Sequence, residues 1–165
     1  NDPDETLGTL LGTDSETVKE AKRFCIVDQK GGRWKWEQIE RMVVEVARED
    51  GAEVEICFEQ EPASGGINQI EALKQHIQKE LPNHHVSSLL AKKLGDRVLA
   101  ANPWFGEAAN GQFYMVKGLW NEDFLSQLDV FPNEAVHDDK VTSVTGARHK
   151  IAPIKKWSKV SFMAV

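Results

Sequence analysis

A short apolar strand and the turn that ends it fix the centre of the predicted fold. Residues 53–59 read Glu-Val-Glu-Ile-Cys-Phe-Glu, and residues 60–66 continue as Gln-Glu-Pro-Ala-Ser-Gly-Gly. The first run is apolar enough for a buried strand, and proline with paired glycines ends it. Apolar residues recur at helical spacing on either side, from Trp34 to about Asp50 and from Ile67 to Leu81. The pattern predicts one strand between two amphipathic helices.

The rest of the pattern adds a hairpin before this unit and further strand–helix alternation after it. Thr6–Gly12 and Arg23–Asp28 read as two strands joined by a polar turn. The later predicted elements are a strand around His85–Leu90, a helix over about Asp96–Ala109 that Pro103 must kink or restart, a strand at Phe113–Val116, a helix from Asn121 to about Phe131, and a last helix that begins near Val136–Asp139. This order predicts an α/β fold with a mixed sheet, antiparallel at one side and parallel at the other, and helices on both faces.

Length and composition favour one globular domain. The chain has 165 residues and a mass of 18.5 kDa, which predicts a domain over residues 1–150 and a basic C-terminal tail over residues 151–165. With 41% hydrophobic and 28% charged residues, the composition excludes a disordered or collagen-like chain. No apolar run is long enough for a membrane helix, and the opening Asn-Asp-Pro-Asp is unlike a signal peptide, so an intracellular location is expected. Cys25 and Cys57 form no C-x-x-C spacing, which favours buried thiols in a reducing compartment.

The charge distribution is uneven. The net charge is −6, which disfavours a general polyanion binder. From Lys140 onward, however, the chain has six basic residues and no acidic one. Such a segment can contact phosphates, although a solvated and partly disordered tail is an equal alternative. No phosphate-binding G-x-x-x-x-G-K-[ST] motif is present, so ATP binding by that route is excluded.

Acidic side chains occur at two positions where the predicted fold would place a site. Glu59 and Glu61 follow the strand at 54–58, and His137, Asp138 and Asp139 stand where the last helix begins. Ligands in open α/β sheets gather at the carboxyl ends of strands and at adjoining helix starts. Carboxylates from two elements suit magnesium or manganese. Solvated glutamates, and aspartates favoured by the helix dipole, are the alternatives for each position alone.

An ordered set of motifs resembles one protein family. The set comprises Phe-Glu-Gln-Glu-Pro-Ala-Ser-Gly-Gly at 58–66, Gly-Asp-Arg-Val at 95–98 followed by Pro103, Val-Lys-Gly-Leu-Trp-Asn-Glu-Asp-Phe-Leu at 116–125, and His-Asp-Asp at 137–139. In this order, over about Thr6–Arg148, they resemble the C-terminal nuclease domain of tailed-phage terminase large subunits. The resemblance implies an RNase H-like fold and an endonuclease that cuts concatemeric viral double-stranded DNA.

The resemblance also implies roles for individual residues. Glu59, Asp138 and Asp139 would be the catalytic carboxylates that hold two Mg²⁺ or Mn²⁺ ions about 3.5–4 Å apart. His137 matches the histidine that precedes the acidic pair, where it would position water or phosphate in catalysis or, alternatively, be a structural residue, and Glu61 is a neighbouring, supporting carboxylate. Thr142 stands where many relatives have a further aspartate. The family's first metal-binding aspartate lies on a strand that is expected upstream of residue 1. Asp2 and Asp4 would replace it only if the first strand were assigned differently.

DNA and other packaging components are the partners that the resemblance implies. Lys92, Lys93, Arg97, Lys155 and Lys156 are the predicted DNA contacts. A terminase ATPase domain is expected upstream in the full protein. The small terminase subunit and the portal are possible further partners, no membrane is involved, and the host cytoplasm is the expected location of this virus-encoded or prophage product. Two alternatives remain open, namely a non-catalytic RNase H-like module that binds DNA or docks on a partner, and a resolvase-like nuclease that prefers branched DNA.

Overall fold

The structure, a computed structural model, describes residues 6–14, 22–61, 64–133, 138–153 and 158–164. Six strands form one mixed sheet, and five α-helices pack against it in this part of the chain. The strands are β1 (Thr6–Asp14), β2 (Arg23–Gly32), β3 (Glu55–Gln60), β4 (Val86–Leu90), β5 (Phe113–Met115) and β6 (Ser158–Ala164). The helices are α1 (Trp36–Asp50), α2 (Ser64–Glu80), α3 (Arg97–Ala109), α4 (Asn121–Val130) and α5 (Asp139–Ile151), and a single 3₁₀ turn covers Ala91–Lys93.

The order of strands across the sheet is β4-β3-β6-β1-β2-β5. Strand β1 pairs antiparallel with both β2 and β6. Strand β3 pairs parallel with β4 and β6, and β5 pairs parallel with β2. A short connection can join only antiparallel neighbours, whereas each parallel neighbour needs a helical crossover. The predicted mixed sheet is therefore confirmed, and its organisation is consistent with an RNase H-like α/β fold.

Strand β6 lies in the middle of the sheet, between β1 and β3. The sequence predicts a basic tail over residues 151–165, and the structure corrects this prediction for residues 158–164. Val160 and Phe162 are fully buried on one face of the sheet, and Ser161 and Met163 are buried on the other. A strand buried on both faces does not need strict alternation of apolar and polar residues. Residues 158–164 therefore need not show the alternation that predicts a strand, and the lysines around them favour the prediction of a tail. That a strand lies upstream of residue 1 stays a prediction.

Helices cover both faces of the sheet, as predicted. Helices α1 and α2 pack on one face around Ile56 and Phe58 of β3, and α3, α4 and α5 pack on the other around Cys57 of the same strand. This division follows from the alternation of side chains along a strand. No helix in the described part of the chain combines the length and apolar character needed to cross a membrane.

Helix α3 forms with Pro103 inside it. The Asp96 carboxylate accepts a hydrogen bond from the backbone N–H of Leu99 at 2.9 Å and so caps the helix at the predicted start. Pro103 does not interrupt the helix, contrary to a restart at that residue. It lies on an exposed face, as does Leu99, whose carbonyl loses its helical N–H partner to proline. Solvent can satisfy a carbonyl on this face, so the helix continues.

Helices α3 and α5 run parallel in a fixed register. Trp104 Nε1 donates to Thr145 Oγ1 at 3.0 Å, and Arg148 donates two hydrogen bonds to Glu107 at 2.6 and 3.1 Å. Each pair is separated by 41 residues in the sequence, as expected for helices that run in the same direction. The first pair is buried, and the second is mostly buried. Together they fix the backbone of α3 against α5.

Candidate active site

Glu59 lies at the carboxyl end of β3. Phe58 is paired with Met163 of β6, and Glu59 is paired with Leu89 of β4. Because Leu7 is paired with Ala164, β1 begins at the same edge of the sheet where β3 and β6 end. The side chain of Glu59 shares the sheet face of Cys57, which α3 and α5 cover. Glu59 is therefore placed, half-buried, at the edge predicted to hold a site.

A cleft on this face is lined by Glu59, Glu61, Arg97 and Thr142, with small or apolar side chains between them. Glu61 is exposed at its rim, and Thr142 belongs to the first turns of α5. The Thr142 hydroxyl oxygen is buried and has no hydrogen-bond partner within the described residues. An unsatisfied buried hydroxyl is costly unless a ligand or water pairs with it. The cleft thus combines carboxylates with one unsatisfied oxygen.

The pKa of Glu59 is raised above its ordinary value. Burial of the carboxyl is the largest cause, followed by the negative charges of Glu61 and Asp139. Burial disfavours the charged form, and nearby carboxylates repel the same charge. Asp139 therefore acts on Glu59 electrostatically although the two residues come from different elements. The site therefore brings carboxylates from β3 and α5 close enough to influence one another.

Asp138 precedes α5, and its carboxylate forms an ion pair with Arg97. Arg97 Nη1, from the first turn of α3, donates to Asp138 Oδ1 at 2.7 Å. Asp138 makes no side-chain capping bond to α5, because its carboxylate turns toward Arg97. The Asp138 side chain is 14% exposed and that of Arg97 is 60% exposed. The contact has the same separation of 41 residues as the two α3–α5 contacts above.

The predicted site residues are only partly brought together. Glu59, Glu61 and Asp139 interact, and Asp138 reaches the same cleft through Arg97. Lys92 and Lys93 are exposed on the 3₁₀ turn beyond β4. The remaining predicted residues, which lie outside the described part of the chain, are His137, Lys155, Lys156 and the two alternatives Asp2 and Asp4.

The donor atoms in the cleft are of the chemical type that binds a hard divalent cation. Carboxylate and hydroxyl oxygens are the ligands that Mg²⁺ and Mn²⁺ prefer, and a cation would offset the charge that raises the pKa of Glu59. Within the described ranges, no three His, Cys, Asp or Glu side chains form a group that could hold a metal ion. The pairing of Asp138 with Arg97 is consistent with that result, because it turns one predicted ligand toward a guanidinium.

The sequence does not predict two features of the cleft. The pairing of Arg97 with Asp138 depends on the parallel register of α3 and α5, which no local pattern encodes. The sequence marks Thr142 only as a departure from the family pattern, whereas the structure gives it a buried hydroxyl on the cleft wall.

Compared with protein-family models and with curated proteins, the chain matches none of them. The resemblance to terminase nuclease domains stays a prediction.

Proposed function

We propose that this chain is the metal-dependent endonuclease domain of a viral DNA-packaging terminase. It would hydrolyse phosphodiester bonds of concatemeric double-stranded DNA in the host cytoplasm. An upstream ATPase domain, the small terminase subunit and the portal would be its partners. The mixed α/β sheet is compatible with the proposal, and the site at one edge of that sheet supports it.

The observation that carries the proposal is the group of carboxylates around Glu59 in the cleft. Glu59 lies one residue before the end of β3 and is half-buried, and the charges of Glu61 and Asp139 raise the pKa of its carboxyl. Burial of like charges costs stability unless a ligand offsets it. Groups with pKa values perturbed in this way cluster at functional sites. A divalent cation bound by Glu59 and Asp139 would reduce the repulsion between these carboxylates.

The side chains divide the work of the proposed reaction. Glu59 and Asp139, with Asp138 once Arg97 has left it, would hold Mg²⁺ or Mn²⁺, and the Thr142 hydroxyl would pair with a ligand in the cleft. Bound ions of this kind activate water and stabilise the leaving oxygen. Lys92, Lys93 and Arg97 would bind phosphates of the duplex. Since phosphate contacts carry no base information, weak sequence preference is expected.

A further carboxylate is expected from a strand upstream of residue 1. Asp2 and Asp4 are the alternative, and they would replace it only if the first strand were assigned differently. Strand β1 covers Thr6–Asp14, close to the predicted Thr6–Gly12, so the upstream strand is the source that we propose.

Cleavage of supercoiled plasmid with Mn²⁺ or Mg²⁺ tests the proposed function. We expect nicking by the chain, or by the chain extended upstream, and at least tenfold slower nicking by Glu59→Gln or Asp139→Asn. Glu71→Gln is the control, because Glu71 is exposed on α2, on the other face of the sheet. Asp2→Asn and Asp4→Asn test the alternative source of the further carboxylate and should leave nicking unchanged. Unchanged nicking by Glu59→Gln would contradict the assignment.

The contact between Arg97 and Asp138 favours a second candidate function. A guanidinium that pairs permanently with Asp138 would leave a non-catalytic RNase H-like module that binds DNA or a partner protein. Such a module would bind its partner equally well with and without EDTA, and would cut nothing. If the chain does cut, competition between branched and linear duplex DNA separates a resolvase-like nuclease from a packaging nuclease.

A further inference from the structure

We propose that Arg97 exchanges partners, pairing with Asp138 in the resting site and with a DNA phosphate once a divalent cation occupies Asp138. This inference rests on the proposed function, and it adds a coupling between metal binding and DNA binding. It assigns one side chain two successive roles. The first role is visible in the structure as the 2.7 Å contact between Nη1 and Oδ1.

The backbone on both sides of the contact is fixed. Trp104 binds Thr145, and Glu107 binds Arg148, further along the same two helices. Arg97 therefore needs no movement of α3 to reach or leave Asp138. Only the rotatable bonds of its own side chain must change, and these reorient rapidly in an exposed residue.

The two partners are unequally exposed, which favours the exchange. Asp138 is mostly buried, whereas most of the Arg97 side chain is in solvent at the mouth of the cleft. An ion pair with one partner largely in solvent is weaker than a fully buried one, since water screens it. A divalent cation carries twice the charge of a guanidinium and would displace it from the carboxylate. The released guanidinium suits phosphate because its planar fork donates two parallel hydrogen bonds.

The exchange of partners by Arg97 would couple metal binding to DNA binding. While Arg97 pairs with Asp138, the positive charge of Arg97 is offset and attracts DNA less. A bound cation would offset Asp138 instead and leave the guanidinium for a phosphate. Metal and DNA would then favour each other's binding, and by linkage the effect is the same in both directions.

Double-mutant cycles on the full chain test this coupling. The first measurement is Mn²⁺ affinity without DNA, by isothermal titration calorimetry. We expect Arg97→Gln to tighten Mn²⁺ binding about two- to fivefold, the range of an exposed ion pair. In the Asp138→Asn background the same change should have no effect. Arg48→Gln is the matched control, since Arg48 is an exposed arginine that pairs with Glu80 at 3.7 Å, and both lie on helices of the other face.

The second measurement is affinity for a fluorescent DNA duplex in EDTA, by anisotropy. Asp138→Asn should strengthen duplex binding when Arg97 is present, because it releases the guanidinium, and by clearly less in the Arg97→Gln background. Equal effects in both backgrounds, in either measurement, would show a general charge effect and overturn the exchange. A failure of the proposed function would give a different result. Mn²⁺ would then bind equally to the unmodified chain, Glu59→Gln and Asp138→Asn, and this result would overturn both proposals. Melting temperatures establish that each variant is folded.

Discussion

Gly146 of α5 lies directly against the ring of Phe162 in β6. A Cβ atom added to Gly146 would overlap three atoms of that ring, so the helix and the strand approach each other more closely than any side chain permits. This approach presses the helix that begins with Asp139 onto the middle of the sheet. It also explains a glycine inside a helix, where glycine is otherwise unfavourable.

Substitution of Gly146 by alanine is expected to destabilise the protein. The new methyl group must displace a fully buried ring, and overpacking of this kind costs about 1–3 kcal/mol, from which the gain of about 1 kcal/mol in helix propensity is subtracted. Gly106→Ala in α3 is the matched control, because nothing lies within 4 Å of the added Cβ and alanine improves helix propensity by about 1 kcal/mol. Urea unfolding measures both. A stable Gly146→Ala variant would contradict the close packing.

Truncation of Phe162 tests the position of β6. The side chain is fully buried between the sheet and α5, so Phe162→Ala should cost about 3–5 kcal/mol of unfolding free energy. Leu119→Ala is the control, since Leu119 is fully exposed and should change stability by less than about 0.5 kcal/mol. If residues 158–164 were a solvated tail, both variants would unfold at the same urea concentration.

Replacement of Glu59 by glutamine should stabilise the metal-free protein at neutral pH. Burial and the neighbouring carboxylates raise the pKa of Glu59 in the folded state, so the folded protein holds this proton more tightly than the unfolded chain does. Stability then falls as pH rises from the unfolded value of about 4.3 through the raised pKa. Glutamine carries no charge and avoids that loss.

The pH dependence distinguishes this effect from a general change in packing. Melting temperatures in EDTA should differ most between Glu59→Gln and the unmodified chain near pH 7–8, and converge as the pH falls toward 4. Asp50 also has a raised pKa, mainly through burial, but it is present in both proteins and cancels. Added Mn²⁺ should raise the melting temperature of the unmodified chain more than that of the variant. A constant difference at every pH would rule out the electrostatic explanation.

Lys92 and Lys93 should contribute to DNA affinity through phosphate contacts alone. Replacement of both by glutamine is expected to weaken duplex binding for every sequence and to reduce the slope of log K against log salt by about 2, or about 1 per contact. Lys74→Gln with Lys79→Gln removes the same charge from α2, on the other face of the sheet. Salt titrations monitored by anisotropy compare the pairs. Equal slopes would place the duplex elsewhere.

Much of the fold could be predicted because its elements have local causes. The hairpin of β1 and β2, the amphipathic faces of α1 and α2, and the capping of α3 by Asp96 are each written in a few neighbouring residues. Pro103 shows the limit of such rules, since whether proline ends a helix depends on whether its face meets solvent. Strand β6 shows another limit, because basic neighbours conceal an apolar run of residues.

The sequence by itself determined the alternation of strands and helices and the placement of Glu59 at a strand end, since both follow from side-chain periodicity and turn chemistry. Only the tertiary structure decided that β6 enters between β1 and β3, that Asp139 acts on Glu59, and that Arg97 pairs with Asp138. These relationships join residues far apart in the chain. They depend on strand order and helix register, which the packing of the whole core selects and no short stretch of residues encodes.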